Sequence, residues 1–414
     1  MGEATFRDAH RTAEAIARHS YGKLVAYLAA RNRDVAAAED ALSDAFAAAL
    51  VEWPRSGCPQ KPEAWLLTVA RRRLIDGTRR RVAGEQVADD VRDIVAASGC
   101  AEESEIPDQR LALMFACTHP SIDVAIRAPL MLQTVLGLDA ARIASAFLVS
   151  PTTMGKRLVR AKEKIRSAGI PMQIPTRDEL PARLADVLDA IYAAYAEGWN
   201  DHAATDTPRR QLADEALFLG HILVELAFDE PEALGLLALM LHIEARRRAR
   251  RSADGEYVPF DEQDPARWDA VMISAAETLL RRAAELGVMG RYQIEAALQS
   301  AHVHRRRCGV ENWDDVVNLY DALLRFSPSP VVAINRALAI GECDGASAAL
   351  AAMPDAAQDG RLIEYQPYWA ARASLLARTG AHADAHHAYE MAIGLESDPA
   401  VRAFLQRRLQ RLRM

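Results

Sequence analysis

The sequence predicts an all-α protein built from several helical modules. Three observations carry this. Apolar residues recur at spacings of three and four almost throughout, and no run alternates in the manner of a strand. Half of the residues are hydrophobic and 26% are charged, with the helix formers Ala, Leu and Arg dominating. At 414 residues the chain is also too long for one ordinary core, which points to two to four domains.

The periodicity predicts helices at about 9–31, 34–52, 62–81, 109–118, 122–136, 139–147 and 151–168. A turn-rich patch from Pro54 to Pro62 separates the second from the third. The stretch Val82–Asp108 mixes Gly, Ser, Asp and Glu without period and reads as a flexible linker. A second boundary falls at Gly169-Ile170-Pro171-Met172-Gln173-Ile174-Pro175. The expected organisation is a front module at 1–84, an acidic tether at 85–108, a second module at 109–171 and a helical extension at 172–414.

Charge follows the same divisions. Residues 1–81 hold 14 Lys and Arg against 10 Asp and Glu, and residues 109–170 hold 9 against 3. Residues 82–108 hold one Arg against eight acids. The overall charge of −7 therefore conceals two basic modules, which suggests nucleic-acid contact by the front of the chain alone. Nowhere do ~18 uncharged apolar residues run together, so no membrane span is expected. The N-terminus is studded with charges and lacks an apolar signal core, which implies a cytoplasmic protein. Five scattered cysteines form no CxxC pair and fit reduced thiols.

In the second module, Met154, Leu158, Ala161 and Ile165 form an apolar stripe. Thr153, Arg157, Arg160 and Lys164 form another face, with Thr152 and Lys156 beside it. A short helix precedes, with Asp139 as its N-cap; Leu148-Val149-Ser150 makes the turn and Pro151 opens the next helix. This reads as a helix-turn-helix whose second helix enters the major groove, or as a solvated basic helix on a core. In the first module, Leu67, Ala70 and Leu74 make a buried stripe, while Trp65, Thr68, Arg72, Asp76 and Arg79 share a different face. Trp65 beside arginines suits base stacking with phosphate contact, or else it is a core residue.

The rear half repeats itself. Gly341, Ala346, Leu350 and Met353 have the spacing of Gly380, Ala385, Tyr389 and Ala392, with Trp369 and Ala373 ahead of the second set. This resembles the tetratricopeptide motif, whose small residues let paired helices approach closely. The match is clearest over 330–400, and a basic amphipathic helix at Asp398–Arg413 suits a cap for the stack.

Two stretches of the front half carry a more specific resemblance. The run Ala38 to Trp53, with the proline-bounded loop and Ala64 to Asp76 behind it, is similar to region 2 of extracytoplasmic-function RNA polymerase sigma factors. The run Ile143 to Ala161 is similar to their region 4, in the family's order and across an acidic linker. The whole chain resembles the group with a tetratricopeptide-like C-terminal extension. Phe115 to Pro120, Ile191 to Trp199 and Asp359 to Leu362 match that group's recurring stretches.

The resemblance implies roles. Asp40, Asp44, Phe46 and Trp53 would dock on the β′ clamp helices of core polymerase, and region 4 would meet the β flap. Loop 55–61, with Lys61, and Trp65 would capture a flipped base of the minus-ten element. Arg71, Arg72, Arg79 and Arg80 would track the adjacent backbone. Thr152, Thr153, Lys156, Arg157 and Arg160 would read the minus-thirty-five element. In that group the extension governs activity. Asp359, Gly360 and Arg361 would then form a regulatory loop, making contact within the chain, with polymerase or with a regulatory protein. Two departures concern region 4: Arg142 replaces the Glu common in its first helix, and Leu148 the Gly common in its turn.

No enzyme is expected. Cys117 with His119, His302 with His304, and His382 with His386 and His387 lack partners at convincing spacing, so neither a metal nor a cofactor is implied. No P-loop or dinucleotide fingerprint occurs. The competing reading is a polymerase-independent helix-turn-helix regulator with a ligand- or peptide-binding repeat domain.

Overall fold

Short polar side chains start most of the front helices. The computed structural model describes residues 11–17, 20–82, 108–147, 149–176, 178–199, 207–227 and 229–412. Among these, no strand forms; the only pairing of that type is one isolated bridge between Arg251 and Tyr257. Among the described residues, no helix is long and apolar enough to cross a membrane. Residues 11–17 are helical, and α1 (Tyr21–Asn32) begins anew after Ser20. The Asp34 carboxylate accepts from the Ala37 amide at 3.0 Å and opens α2 (Val35–Ser56).

Helix α2 outruns its expected end. Pro54 lies inside its last turn, and the chain leaves the helix only at Gly57, where φ is 87°. Trp53 is 1% exposed, so the turn that carries it is held in the core, and the expected loop shortens to 57–61. Helix α3 (Pro62–Val82) follows, and α4 (Arg110–Cys117) is buried from Leu111 onwards. Asp123 caps α5 (Val124–Leu136), and Gly137 ends it with φ at 71°. Then come α6 (Ala140–Ala146), α7 (Pro151–Ser167), α8 (Leu180–Trp199) and α9 (Thr207–Leu226).

The described residues divide into two compact units, one up to residue 219 and one from residue 220 onward. In the front unit α1 lies against α4 and α5, α2 pairs with α3, and α7 rests on α2, α5 and α6. The crossing of α1 and α5 is close: a Cβ on Gly22 would stand 2.0 Å from the Val135 carbonyl oxygen. Helix α8 joins this unit beyond the Gly169–Pro175 stretch. Arg127 holds Asp186 at 2.5 Å, and Arg183 donates to the Phe115 carbonyl.

In the rear unit, α10 (Pro231–Glu244) is buried on most sides. An irregular stretch with short 3-10 turns leads to α11 (Ala270–Glu285). Helix pairs then follow: α12 (Arg291–Cys308) with α13 (Trp313–Phe326), α14 (Pro330–Cys343) with α15 (Ala346–Ala352), and α16 (Gln366–Arg378) with α17 (His382–Leu395). Asp398 caps the final α18 (Pro399–Arg411), accepting from the Ala400 amide at 2.8 Å.

Gly341 and Gly380, which share a repeat spacing, do different jobs. Gly380 makes a turn at φ 80°, whereas Gly341 is buried inside α14, where a Cβ would press to 2.9 Å of the Ala349 Cβ. Gly345, at φ 89°, supplies the turn of that pair.

Two histidines of this unit, His242 buried and His302 partly so, are held as neutral rings. Burial pushes His242 down to about 4, with Glu277 opposing and Arg246 reinforcing. His302 is pushed to about 4 by burial first, then by Arg305 and Arg246. The unfolded chain takes up these protons near 6.5 and the folded chain only near 4. Stability is thus full above pH 6.5 and falls through the window down to pH 4, by up to ~3 kcal/mol for each ring. Thermal melting at mildly acidic and neutral pH measures this. His302→Phe should lose less than the parent on acidification, and an equal loss in both would refute it.

Candidate nucleic-acid interface

Helix α7 is built as a cap, an apolar stripe and an exposed basic face. The Ser150 hydroxyl accepts from the Thr153 amide at 3.2 Å, and Pro151 occupies the first turn, where its missing N–H is not needed. Met154, Leu158, Ala161 and Ile165 are all buried. Thr152, Thr153, Lys156, Arg157 and Arg160 are all exposed, so the five predicted contacts share open solvent. Asp139 caps the helix in front, accepting from the Arg142 amide at 2.8 Å. Arg142 reaches Glu215 at 3.3 Å, while Leu148 lies outside the described residues.

One neighbour of this face was not legible in the sequence. Arg157, Arg160 and Lys164 line a recess of about 410 Å³ with Ser121 and Asp123 at the start of α5. The recess extends the basic surface toward the start of α5, whose N-terminal amides the Asp123 carboxylate already caps.

The second surface lies on α3. Leu66, Leu67 and Ala70 are buried, while Lys61, Thr68, Arg72 and Asp76 are exposed. Trp65 is half-buried and meets Trp53 edge to face, with ring centroids 5.5 Å apart. The structure thus joins two residues that the sequence treated separately. Trp53 is a buried support and Trp65 the partly open ring above it. Arg71 turns inward, donating to the Tyr27 hydroxyl with its guanidinium 5.0 Å from that ring. The side chains of Arg79 and Arg80 lie outside the described residues.

On α2, Asp40 and Asp44 are exposed and Phe46 is half-buried. Leu50 and Val51 are exposed too, at 38% and 58%. With Asp40, Asp44 and Ala47 they form a surface at spacings of three and four, a signal present in the sequence but hidden among the alanines.

The Asp359-Gly360-Arg361 turn closes on itself. The Asp359 carboxylate accepts from the Arg361 amide at 3.1 Å and from its guanidinium at 2.8 and 2.7 Å. Leu362 anchors the turn in the core, and the Arg361 side chain stays 77% exposed. Cys117 faces Thr134 at 3.3 Å, and burial pushes its thiol up to about 12, while His119 accepts from the Ser121 amide. The two are not paired as nucleophile and base. Among the described residues, no three His, Cys, Asp or Glu are grouped to hold a metal.

Comparison with known proteins agrees with the front of this layout. Residues 16–83 match sigma-70 region 2, and residues 183–284 match a family of unknown function (DUF6596). Over 405 residues the chain is 35% identical to an uncharacterized protein of Rhizobium meliloti (strain 1021), covering 94% of this chain and 92% of that protein. No solved structure matches significantly.

Proposed function

The chain belongs to the same family as that Rhizobium meliloti protein and carries sigma-70 region 2 at its front. From this premise we propose that it is a sigma factor of the extracytoplasmic-function group, governed by its own rear helical unit. Region 2 implies a role in transcription initiation, with core polymerase and promoter DNA as partners. The finer reading rests on one observation: α3 and α7 each carry exposed cations over a buried apolar stripe, in the order that the family requires.

In this reading the exposed face of α2, with Asp40, Asp44, Leu50 and Val51, docks on the β′ clamp helices. Lys61 and Trp65 hold a base extruded from the minus-ten element, with Trp53 as the wall behind the ring. Arg72 follows the backbone, and Arg71 braces Tyr27. Capturing unstacked bases shifts the opening equilibrium without ATP. Helix α7 acts as the recognition helix of a helix-turn-helix on the minus-thirty-five element, and this module meets the β flap. The exposed Arg361, aimed by Asp359, is the contact of the rear unit with polymerase or a regulatory protein.

The test is transcription of fragmented genomic DNA by bacterial core polymerase with this protein, mapping the 5′ ends. New starts that share two upstream elements are expected. Arg157→Ala should weaken promoter binding by about 1–3 kcal/mol if it reads a base, and should lower the salt slope by about one if it holds a phosphate. Binding to duplex without polymerase, and no new starts with it, would favour a polymerase-independent regulator.

A further inference from the structure

The rear unit closes into a ring around a cavity. Its irregular stretch reaches the last helix: Arg251 pairs with Asp398, Glu256 with Arg407 at 2.9 Å, and Glu262 with Arg408 at 2.8 Å. Tyr257 packs edge to face on Phe404. This closure carries Phe260 and Asp261 over the inner faces of α12, α13, α14 and α16 and leaves a cavity of about 470 Å³. That size is typical of small-ligand sites.

The walls are chemically specific. His302 stands between Phe260 and Trp313, with ring centroids at 5.7 and 5.9 Å. The Arg305 guanidinium lies 4.1 Å from the centre of the Trp313 ring, which fixes its plane and aims its N–H edge sideways. One arm of that fork holds Asp261 at 3.0 Å, but the Asp261 side chain is 72% exposed, so the pair is loosely held. Arg305 Nε and His302 Nδ1 are buried without a hydrogen-bond partner among the described residues. Buried polar atoms left so are costly, and they point to a polar group brought from outside. Three guanidiniums (Arg246, Arg305 and Arg378) face two carboxylates (Asp261 and Glu342), leaving one positive charge. His302 stays neutral and adds none. One net charge and a planar fork suit a monoanion better than a doubly charged phosphate.

We propose that this cavity binds a carboxylate-bearing ligand, the carboxylate on Arg305 in place of Asp261 and the apolar body against Trp313 and Tyr320. The site is independent of the promoter reading, since every wall belongs to the rear unit. The ligand is a free organic acid or the terminal carboxylate of a peptide, which share this chemistry.

Calorimetric titration of the full chain tests it with benzoate, indole-3-acetate, N-acetylphenylalanine and its amide, a tripeptide ending in free phenylalanine, and inorganic phosphate. Saturable binding of at least one carboxylate is expected, with the amide roughly tenfold weaker or worse. Tighter binding of the tripeptide than of the free acids identifies a chain end; the reverse identifies a small acid. Arg305→Gln should abolish the signal. Because that change could disturb the ring, Asp261→Asn is the companion: it removes the competing carboxylate at an exposed position and should tighten binding several-fold. Equal affinity for acid and amide, no gain in Asp261→Asn, or no saturation by any carboxylate at millimolar concentration would overturn the proposal. Preference for phosphate over all the carboxylates would overturn it as well.

Discussion

Replacing Lys162 with Met is expected to loosen the front unit and to raise promoter-dependent initiation. Lys162 lies on the proposed recognition helix and Glu39 on the helix proposed to dock on polymerase. Their charges meet at 2.6 Å with both side chains 11% exposed. Burial pushes the Glu39 carboxyl up, and the Lys162 ammonium opposes this. Removing the ammonium alone leaves a buried carboxylate uncompensated, which costs the docked arrangement about 3–5 kcal/mol. Promoter elements at minus ten and minus thirty-five lie about 25 base pairs apart, or about 85 Å of duplex at about 3.4 Å per pair. Two modules packed together, α1 against α4 and α5 and α2 against α7, cannot reach both, so the proposed function requires this docking to open. The tether expected from the sequence, residues 85–108, has a fully extended reach of about 80 Å, a similar length.

Two further variants separate this idea from general damage. Replacing Glu39 and Lys162 together with Met removes both charges and should restore docking, because an apolar pair of similar volume is commonly neutral or stabilising there. Gly22→Ala attacks the same interface by another route, since its Cβ would collide with the Val135 carbonyl. Hydrogen exchange is the measurement. Amides of α2 and α7 should exchange more than tenfold faster in Lys162→Met and in Gly22→Ala, and at the parental rate in the double variant. Unchanged exchange in Lys162→Met would remove the latch from the argument. Faster exchange without more initiation would mean that docking does not limit transcription.

Much of the site was readable because it is local. The cap Asp139, the turn ending at Ser150, Pro151, and the buried and exposed faces of α7 all lie within a few turns of one another, and cap chemistry with helical period sorts them. Local period fails for partners far apart in the chain. Glu39 sits beside Asp40, which the resemblance places on the docking surface, yet it points inward to a lysine 123 positions away. Pro54 announced a loop, but the burial of Trp53 kept the last turn helical. Gly341 and Gly380 share a spacing because small residues serve both close helix contact and turns, which one sequence does not distinguish. His302 stood out in the sequence only beside His304, as a pair without partners. Its meaning depends on Phe260, Arg305 and Trp313, which only the closure of the ring brings around it.

Trp53→Ala should be the most damaging single change in region 2. The side chain is 1% exposed, and truncating a buried Trp leaves a cavity that costs about 3–5 kcal/mol. The loss falls on the end of α2, where Pro54 already forgoes a backbone hydrogen bond, so the last turn has little else to hold it. Trp65 would lose the ring that backs it at 5.5 Å, and the loop 57–61 between them would lose its fixed ends. Trp53→Phe separates the ring from the indole N–H. Trp53 Nε1 is buried without a hydrogen-bond partner among the described residues, so Phe removes a polar burden while it opens a smaller cavity. It should cost less than half as much as Ala. Urea unfolding gives the free energies, and hydrogen exchange resolved on residues 45–60 locates them. If Trp53→Ala lies within about 1 kcal/mol of the parent, the tryptophan is not the support on which Trp65 rests. If stability falls as expected while promoter opening survives in Trp53→Phe and fails in Trp65→Ala, base capture belongs to Trp65 and Trp53 acts only from beneath.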